Sequence, residues 1–305
     1  MTKKLILIAG PTASGKSKLS LEIAKILNGE IINADSMQVY KNFSTLSSRP
    51  KKKDLKKIKH HLYGFISARN YFSTGEWLRL VKKKINICIK KNKIPILVGG
   101  TGLYFNAITK GISEIPEIEL KKRNFIRKLH SRLGQEKFYN LLIKLDPLAK
   151  EKIISTDTQR TIRAYEVKLI TKKSIFQWAR NTKSEFLSYD IKKIFLDIPR
   201  DNLLKNIEKR TNEMITTGCV KEVKSFLKLN IDKNLSANKL IGVKELESYI
   251  RGNISLNQAK DLIIIKTRQY AKSQKTWSRG HMKNWKKLYS KDFSALLKKA
   301  LKVLS

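Results

Sequence analysis

Apolar residues follow two rhythms along this chain of 305 residues. Unbroken apolar runs occur at Leu5–Ala9 and Ile94–Val98, with shorter ones at Glu30–Asn33 and Lys193–Ile198. Each is bounded by glycine, proline or polar residues, and runs of this length read as strands buried in a parallel sheet. Between them the apolar spacing shifts to three and four, the period of a helix packed by one face. Leu19, Leu21, Ile23, Ala24 and Leu27 mark the first such helix. Ser73 and Glu76 form a capping box before Trp77, Leu78, Val81, Ile85, Cys88 and Ile89. Pro199-Arg200-Asp201 opens a helix carrying Leu204, Ile207 and Met214 and stopping at Gly218. Further helices are predicted over Leu240–Ile250, from Ser255 to Arg279 with Leu262, Ile263, Tyr270 and Trp277 on one side, and over Phe293–Leu304.

From Ile112 to Tyr189 the strand-like runs vanish. Helical runs take over at Leu120–Leu133, Gln135–Lys144 and Asp157–Ile170, and Asp146-Pro147 reads as an N-cap with a first-turn proline. In the third run Ile162, Tyr165 and Leu169 are expected to face inward. The pattern gives an α/β protein whose parallel-sheet core is interrupted by a helical insertion. Residues 1–111 and 190–305 form the core, and residues 112–189 the insertion. Residues 41–72 are loop-rich and basic, either a solvated segment or a lid over a substrate.

The chemistry starts between the first strand and the first helix. Gly10-Pro11-Thr12-Ala13-Ser14-Gly15-Lys16-Ser17 has the spacing of a phosphate loop in the strand-turn-helix setting that such a loop needs. Backbone N–H groups and the helix N-terminus are expected to cradle phosphate oxygens. Lys16 would hold oxygens of the ligand, and the Ser17 hydroxyl would reach a Mg²⁺ ion. In a parallel sheet, ligands sit beyond the carboxyl ends of the strands. Two more strand ends carry chemistry: Asp35 in Ala34-Asp35-Ser36-Met37-Gln38-Val39-Tyr40, and Thr101 in Gly99-Gly100-Thr101-Gly102-Leu103-Tyr104. Asp35 is a candidate catalytic or Mg²⁺-linked carboxylate, and Arg210 a candidate phosphate ligand.

Charge adds a partner class. The formal net charge is +40, from 65 Lys and Arg against 25 Asp and Glu, which favours a polyanion such as RNA. Lysine, isoleucine and asparagine are all abundant, as A/T-rich coding would produce, so charge alone does not decide. Lys266, Arg268, Lys272, Lys275 and Arg279 add a one-signed surface to the Ser255–Arg279 helix. The two cysteines, Cys88 and Cys219, lie in separate helical patterns and read as small core residues of a reduced compartment. The four histidines show no zinc-ligand spacing. With no span-length apolar stretch and a strand at the very start, a soluble, cytoplasmic, monomeric protein is expected.

Taken together and in order, these motifs resemble the bacterial tRNA dimethylallyltransferases. The resemblance rests on Gly10–Ser17, Ala34–Tyr40, Gly99–Tyr104, and Asp157-Thr158-Gln159-Arg160 with Arg163, Ala164 and Glu166. It extends to Leu240-Ile241-Gly242-Val243-Lys244-Glu245-Leu246 and to Thr267-Arg268-Gln269 through Gln274 and Trp277. Two positions depart: Arg49 stands before Pro50 where the family has lysine, and Ser273 stands where it has arginine.

The resemblance implies a P-loop NTPase-like, kinase-like core and an insertion that grips a tRNA anticodon stem-loop. The implied reaction moves a dimethylallyl group from its diphosphate to N6 of the adenine just 3′ of the anticodon, in tRNAs reading codons that start with U. Asp35 would then be the general base, Thr101 would lie between acceptor and leaving group, and residues 10–17 with Mg²⁺ and Arg210 would hold the diphosphate. The tRNA contacts implied are Asp35, Ser36, Met37, Gln38, Thr101, Arg123, Gln159, Arg160, Thr161, Ile162 and Arg163. The runner-up is an ATP-dependent nucleoside or small-molecule kinase. A non-enzymatic RNA-binding factor and prenylation of free adenine nucleotides are weaker alternatives.

Overall fold

Strands β1 (Lys4–Ala9), β2 (Gly29–Asn33), β3 (His60–His61), β4 (Ile94–Gly99), β5 (Asp190–Leu196) and β6 (Lys286–Leu288) form one parallel sheet. Their order is β3-β2-β4-β1-β5-β6. The computed structural model describes residues 3–305. Leu5 to Ile8 of the central strand are fully buried, as a strand covered on both faces requires. The register pairs Ala9 with Gly99 and Asn33 with Val98. The chain therefore leaves β1, β2 and β4 at nearly one level, and three motif-bearing turns share one edge of the sheet. A Cβ on Gly99 would lie 1.9 Å from the Ala34 carbonyl oxygen, so β2 and β4 come together here only because residue 99 is glycine.

Four of the six strands are those the sequence predicts. β5 is shifted from the expected Lys193–Ile198, because Lys192 and Lys193 pair beside β1 while Ile198 lies past the strand end. β3 and β6 have no strand signature. They form because the neighbouring strands offer unpaired backbone at the sheet edges. A buried cluster fixes β3: His61 Nε2 lies 2.6 Å from Glu30 Oε2, and Cys88 Sγ lies 3.5 Å from the same oxygen. Burial pushes the Glu30 carboxyl up, but His61 and Cys88 outweigh it and hold the group below its ordinary range. Burial and the Glu30 charge push the Cys88 thiol up to about 12. Both cysteines are free and buried.

By contact the chain divides into residues up to 108 with 186–305, and residues 109–185. In the first unit, α1 (Lys16–Ile26), α2 (Lys52–Lys57), α3 (Thr74–Lys90) and α4 (Gly102–Thr109) follow the early strands. The Ser73–Glu76 capping box of α3 forms as expected, and Trp77, Leu78, Val81, Ile85 and Cys88 are its buried face. In the helical unit, α5 (Leu120–Leu145) is broken at Gly134, whose φ of 77° suits glycine, and this separates the two predicted runs. Then come α6 (Thr158–Thr171) and α7 (Ile175–Ala179). Asp146 makes no side-chain cap, and Pro147–Ala149 is a single 3-10 turn. The inward face of α6 is Thr161, Ala164 and Val167, whereas Ile162, Tyr165 and Leu169 are half-buried.

The core resumes with α8 (Arg200–Thr216), α9 (Cys219–Leu227), α10 (Val243–Ile250), α11 (Leu256–His281) and α12 (Phe293–Leu304). α12 buries Leu296, Ala300 and Leu304 in the cluster that holds Leu19 and Ile23 of α1. Each fully buried leucine is worth roughly 1.5–3 kcal/mol. On α11 the buried side is Ala259, Ile263, Ile264, Thr267, Ala271 and Ser278, so the expected Leu262 and Tyr270 are exposed. Three of its five cations serve the fold: Lys266 pairs with Glu245, Arg268 with Glu208, and Lys275 with Asp197.

Residues 41–72 are in part packed rather than solvated. Phe43, Leu46 and Ala68 are buried in the cluster around Val223 and Phe226 of α9. Within this segment α2 has no buried residue. Glu222 of α9 pins the segment through its two carboxylate oxygens. Oε1 accepts from Ser44 N (2.9 Å), Ser44 Oγ (2.7 Å) and Thr45 N (2.8 Å), and Oε2 from Leu46 N (2.9 Å). Burial alone would raise this carboxyl, yet the backbone and hydroxyl donors hold it below its ordinary range. Its folded pKa is therefore the lower one, so its contribution is full above the unfolded pKa and is lost as pH falls through the folded value. Glu222→Gln turns an acceptor into a donor facing other donors. We expect a loss of about 2 kcal/mol at neutral pH, read by urea unfolding, and a smaller difference from wild type in acid.

Candidate active site

Residues 10–17 leave β1 and wrap the N-terminus of α1. Gly15, at φ 84°, is the N-cap residue and contributes no side chain to the cap. The first turn of α1 holds no acidic residue, so the positive end of the helix dipole faces the loop unopposed. Lys16 Nζ folds over the loop onto Gly10 O (2.9 Å), Pro11 O (2.6 Å) and Ser14 Oγ (3.3 Å). Asn206 of α8 holds Ala13 O from outside at 3.1 Å. The N–H of Thr12 donates to Gln274 Oε1 of α11 at 2.8 Å.

Asp35 sits in the turn after β2, bracketed by the buried Asn33 side chain. Asn33 Nδ2 donates to Asp35 O, and Asp35 N donates to Asn33 Oδ1, both at 2.9 Å. Asp35 Oδ1 accepts Met37 N at 2.9 Å. The turn is tied to the one after β4: Thr101 Oγ1 accepts Ser36 N at 2.9 Å, and Thr101 N donates to Ala34 O at 3.2 Å. Asp35 and Thr101 are thus brought together through Ser36. Gln38 Nε2 donates to Ser47 O (2.9 Å) and Ser48 O (3.2 Å), and Met37 packs on the apolar cluster below.

Electrostatics join these turns to Arg210. Burial lowers the Lys16 pKa to about 8, with the Asp35 charge opposing and the Arg210 charge adding to the shift. Burial also lowers the Arg210 pKa, again opposed by Asp35. Lys16, Asp35 and Arg210 therefore share one field. Burial first, and the Asp35 carboxylate second, push the phenols of Tyr63 and Tyr104 upward. Tyr104 closes the Gly99–Tyr104 motif, whereas no motif marks Tyr63.

A cavity of about 250 Å³ opens on this edge of the sheet, lined by Gly10, Ser36, Thr101, Tyr270, Gln274 and Trp277, with further apolar wall from Leu103, Phe105 and Phe195. The Trp277 ring lies against Gly102, where a Cβ would come within 2.3 Å of the ring. One wall thus comes from α11, about 170 residues past Thr101. Gln274 stands in the Thr267–Trp277 segment that carries the family resemblance, but no role for it is readable from the sequence.

The remaining expected RNA contacts lie in the helical unit. Arg123 Nε and Arg163 Nη1 reach the same oxygen of the buried Glu166, at 3.5 and 3.3 Å. Gln159 and Arg160 are exposed and Ile162 is half-buried. Thr161 is a correction to the sequence reading. It is fully buried, its hydroxyl donates to Asp157 O at 2.7 Å, and Gln135 Nε2 donates to it at 3.2 Å. It belongs to the packing of α6, because Asp157 caps the helix and turns position 161 inward.

Parallel sheet, phosphate loop and adjoining acidic turn define a P-loop NTPase-like α/β protein whose site handles a phosphorylated substrate. The family model described as IPP transferase matches residues 38–281, and the chain belongs to that family. The tRNA dimethylallyltransferase of Pelagibacter ubique is 52% identical over 98% of this chain and 96% of its own. That of Rickettsia felis is 44% identical over 91% of this chain and 90% of its own. Among solved structures, the tRNA isopentenylpyrophosphate transferase of Bacillus halodurans has a TM-score of 0.69 at 30% identity, covering 99% of this chain and 94% of its own. A eukaryotic dimethylallyltransferase captured acting on tRNA has a TM-score of 0.81 at 25% identity, covering 96% and 75%. Among the described residues, no helix is long and apolar enough to cross a membrane.

Proposed function

We propose that this protein transfers the dimethylallyl group of dimethylallyl diphosphate to N6 of adenine 37 in tRNA. The supporting observation is a cavity with apolar walls that is lined by Gly10 at the start of the phosphate loop, by Ser36 beside Asp35, and by Thr101, with Ser36 bonded to Thr101. Apolar walls of this kind suit a five-carbon allylic tail. N6 attacks the allylic carbon, a C–N bond forms, and the C–O bond to diphosphate breaks with its electron pair leaving on oxygen. Asp35 takes the N6 proton as attack proceeds, because an exocyclic amine is too weak an acid to lose it beforehand. Thr101, oriented through Ser36, lies between acceptor and leaving group. Lys16 and Arg210 stabilise the charge gathering on the departing diphosphate.

The Ser17 hydroxyl and the oxygens of a diphosphate are hard donors of the kind Mg²⁺ takes, so this loop fits that ion. When bound, Mg²⁺ would neutralise leaving-group charge, with Ser17 as its protein ligand. To reach the site the adenine leaves its stack, at a cost of a few kcal/mol. Arg123, Gln159, Arg160 and Arg163 are the proposed contacts to the surrounding loop.

The test is incubation with Mg²⁺, dimethylallyl diphosphate and an anticodon stem-loop bearing three consecutive adenines, read by mass spectrometry. A dimethylallyl increment on the RNA is expected. ATP consumption without that increment would instead favour the kinase. A second experiment addresses the charge. Arg160, with its side chain 69% exposed, is expected on substitution by Ala to weaken RNA binding and to reduce the salt slope by about 1. Lys266→Ala should leave the slope unchanged and lower stability, because that ammonium is committed to Glu245. Equal slopes for wild type and Arg160→Ala would remove Arg160 from the RNA surface.

A further inference from the structure

The phosphate loop and the Thr101 turn are separate in sequence and leave the adjacent strands β1 and β4. One side chain joins them. Gln274 Oε1 accepts the Thr12 N–H at 2.8 Å, and Gln274 Nε2 donates to Gly100 O at 2.9 Å. The primary amide is the group suited to this. It offers an acceptor and a donor on one rigid plane, and both ends are used. Gly100 is fitted to the same joint, since a Cβ there would fall 2.3 Å from Gln274 Nε2.

The helix that carries this amide is itself held on three sides. Arg268 pairs with Glu208 of α8, and Lys275 bonds Asp197 (2.8 Å) and Ile198 O (2.9 Å) at the end of β5. The Trp277 ring lies against Gly102. Gln274 therefore has a fixed base from which to set the spacing of the two turns. From Gly100 the chain of bonds continues through Thr101 to Ser36 and the Asp35 turn.

We infer that Gln274 is a positioning residue that clamps the diphosphate cradle to the turn presenting Thr101 and, through it, Asp35. This rests on the function proposed above. The amide sets the distance between leaving group and nucleophile, and it touches neither of the bonds that change. It also fills the Thr12 N–H, so the donors left to the ligand are those deeper in the loop. Because displacement needs the reacting atoms close and aligned, misplacement by about 1 Å costs on the order of 10²-fold in rate.

Gln274→Glu keeps the acceptor for Thr12 and removes the donor to Gly100, and Gln274→Ala removes both. With Gln274→Ala, which adds no charge beside the cradle, we expect the KM for dimethylallyl diphosphate to stay within about twofold and kcat to fall roughly 10- to 100-fold. Gly100→Ala attacks the same joint from the other side, so Gln274→Ala with Gly100→Ala should be no slower than the slower single variant. Wild-type kcat in Gln274→Ala, additive losses in the double variant, or a kcat that falls only in step with melting temperature would each overturn the clamp. Hydrogen exchange separates this from the reaction itself. Inorganic diphosphate should protect the 99–103 segment along with residues 10–17 in the wild type, and only residues 10–17 in Gln274→Ala. Spread of protection without any prenyl transfer would sink the proposed reaction and leave the clamp standing. Protection confined to residues 10–17 in the wild type would remove the clamp.

Discussion

Replacing Asp35 by Asn is expected to lower dimethylallyl transfer by about 10²- to 10⁴-fold, the usual worth of a positioned general base. The substitution is chosen from the geometry. Asp35 Oδ1 accepts the Met37 N–H, and an asparagine carbonyl does the same, so the turn and its bonds to Asn33 and Thr101 are retained. What is lost is the basic oxygen and the charge. RNA affinity, measured by filter binding, should stay within a fewfold of wild type. Asp35→Ala also loses the turn-closing bond, so an Ala variant much slower than Asn would expose a positional share on top of the chemical one. An Asn variant that transfers at the wild-type rate would end the assignment of Asp35 as base.

Lys16→Ala is expected to cost about 10²- to 10³-fold in kcat, the range for removing one group that stabilises charge in the transition state. Lys16 also sets a pH limit. Its pKa is lowered to about 8, mainly by burial. The ammonium is the form that binds diphosphate, so kcat/KM should fall as pH rises above about 8. The carboxylate of Asp35 pulls that pKa up, and Arg210 pushes it down. The alkaline limb should therefore move to lower pH in Asp35→Asn and to higher pH in Arg210→Met. A limb that ignores both substitutions would mean that Lys16 does not control it.

Much of the site is legible in the sequence. Gly10–Ser17, Asp35 and Thr101 each close an apolar run, and a parallel sheet puts the ends of such runs on one edge. Register alone then brings the three turns together, and local pattern is enough to predict it. The helical insertion was legible for a similar reason, as helical period replaces strand runs between Ile112 and Tyr189. The face of α6 was misjudged, because Thr161 carries a polar name and a buried role. Its hydroxyl spends its hydrogen bonds on Asp157 and Gln135, which no period can report.

The basic segment after β2 misled for the opposite reason. Its lysines suggest solvent, while Phe43 and Leu46 are held under α9 by a glutamate 176 residues away. Charge misled in the same way on α11. Lys266, Arg268 and Lys275 belong to intramolecular pairs, so part of the +40 charge serves the fold.

What the sequence alone determined was the set of short-range instructions: where strands end, where glycine admits a phosphate loop, and which residues stand at those ends. These follow from neighbours in the chain, through sterics and period. Only the tertiary structure decided which distant side chains meet. Asp35, Lys16 and Arg210 share a field, Glu222 fastens a loop, and Gln274 spans two turns more than 170 residues before it. These meetings depend on strand order, helix docking and close approach at Gly99, Gly100 and Gly102, quantities that exist only once the chain has folded.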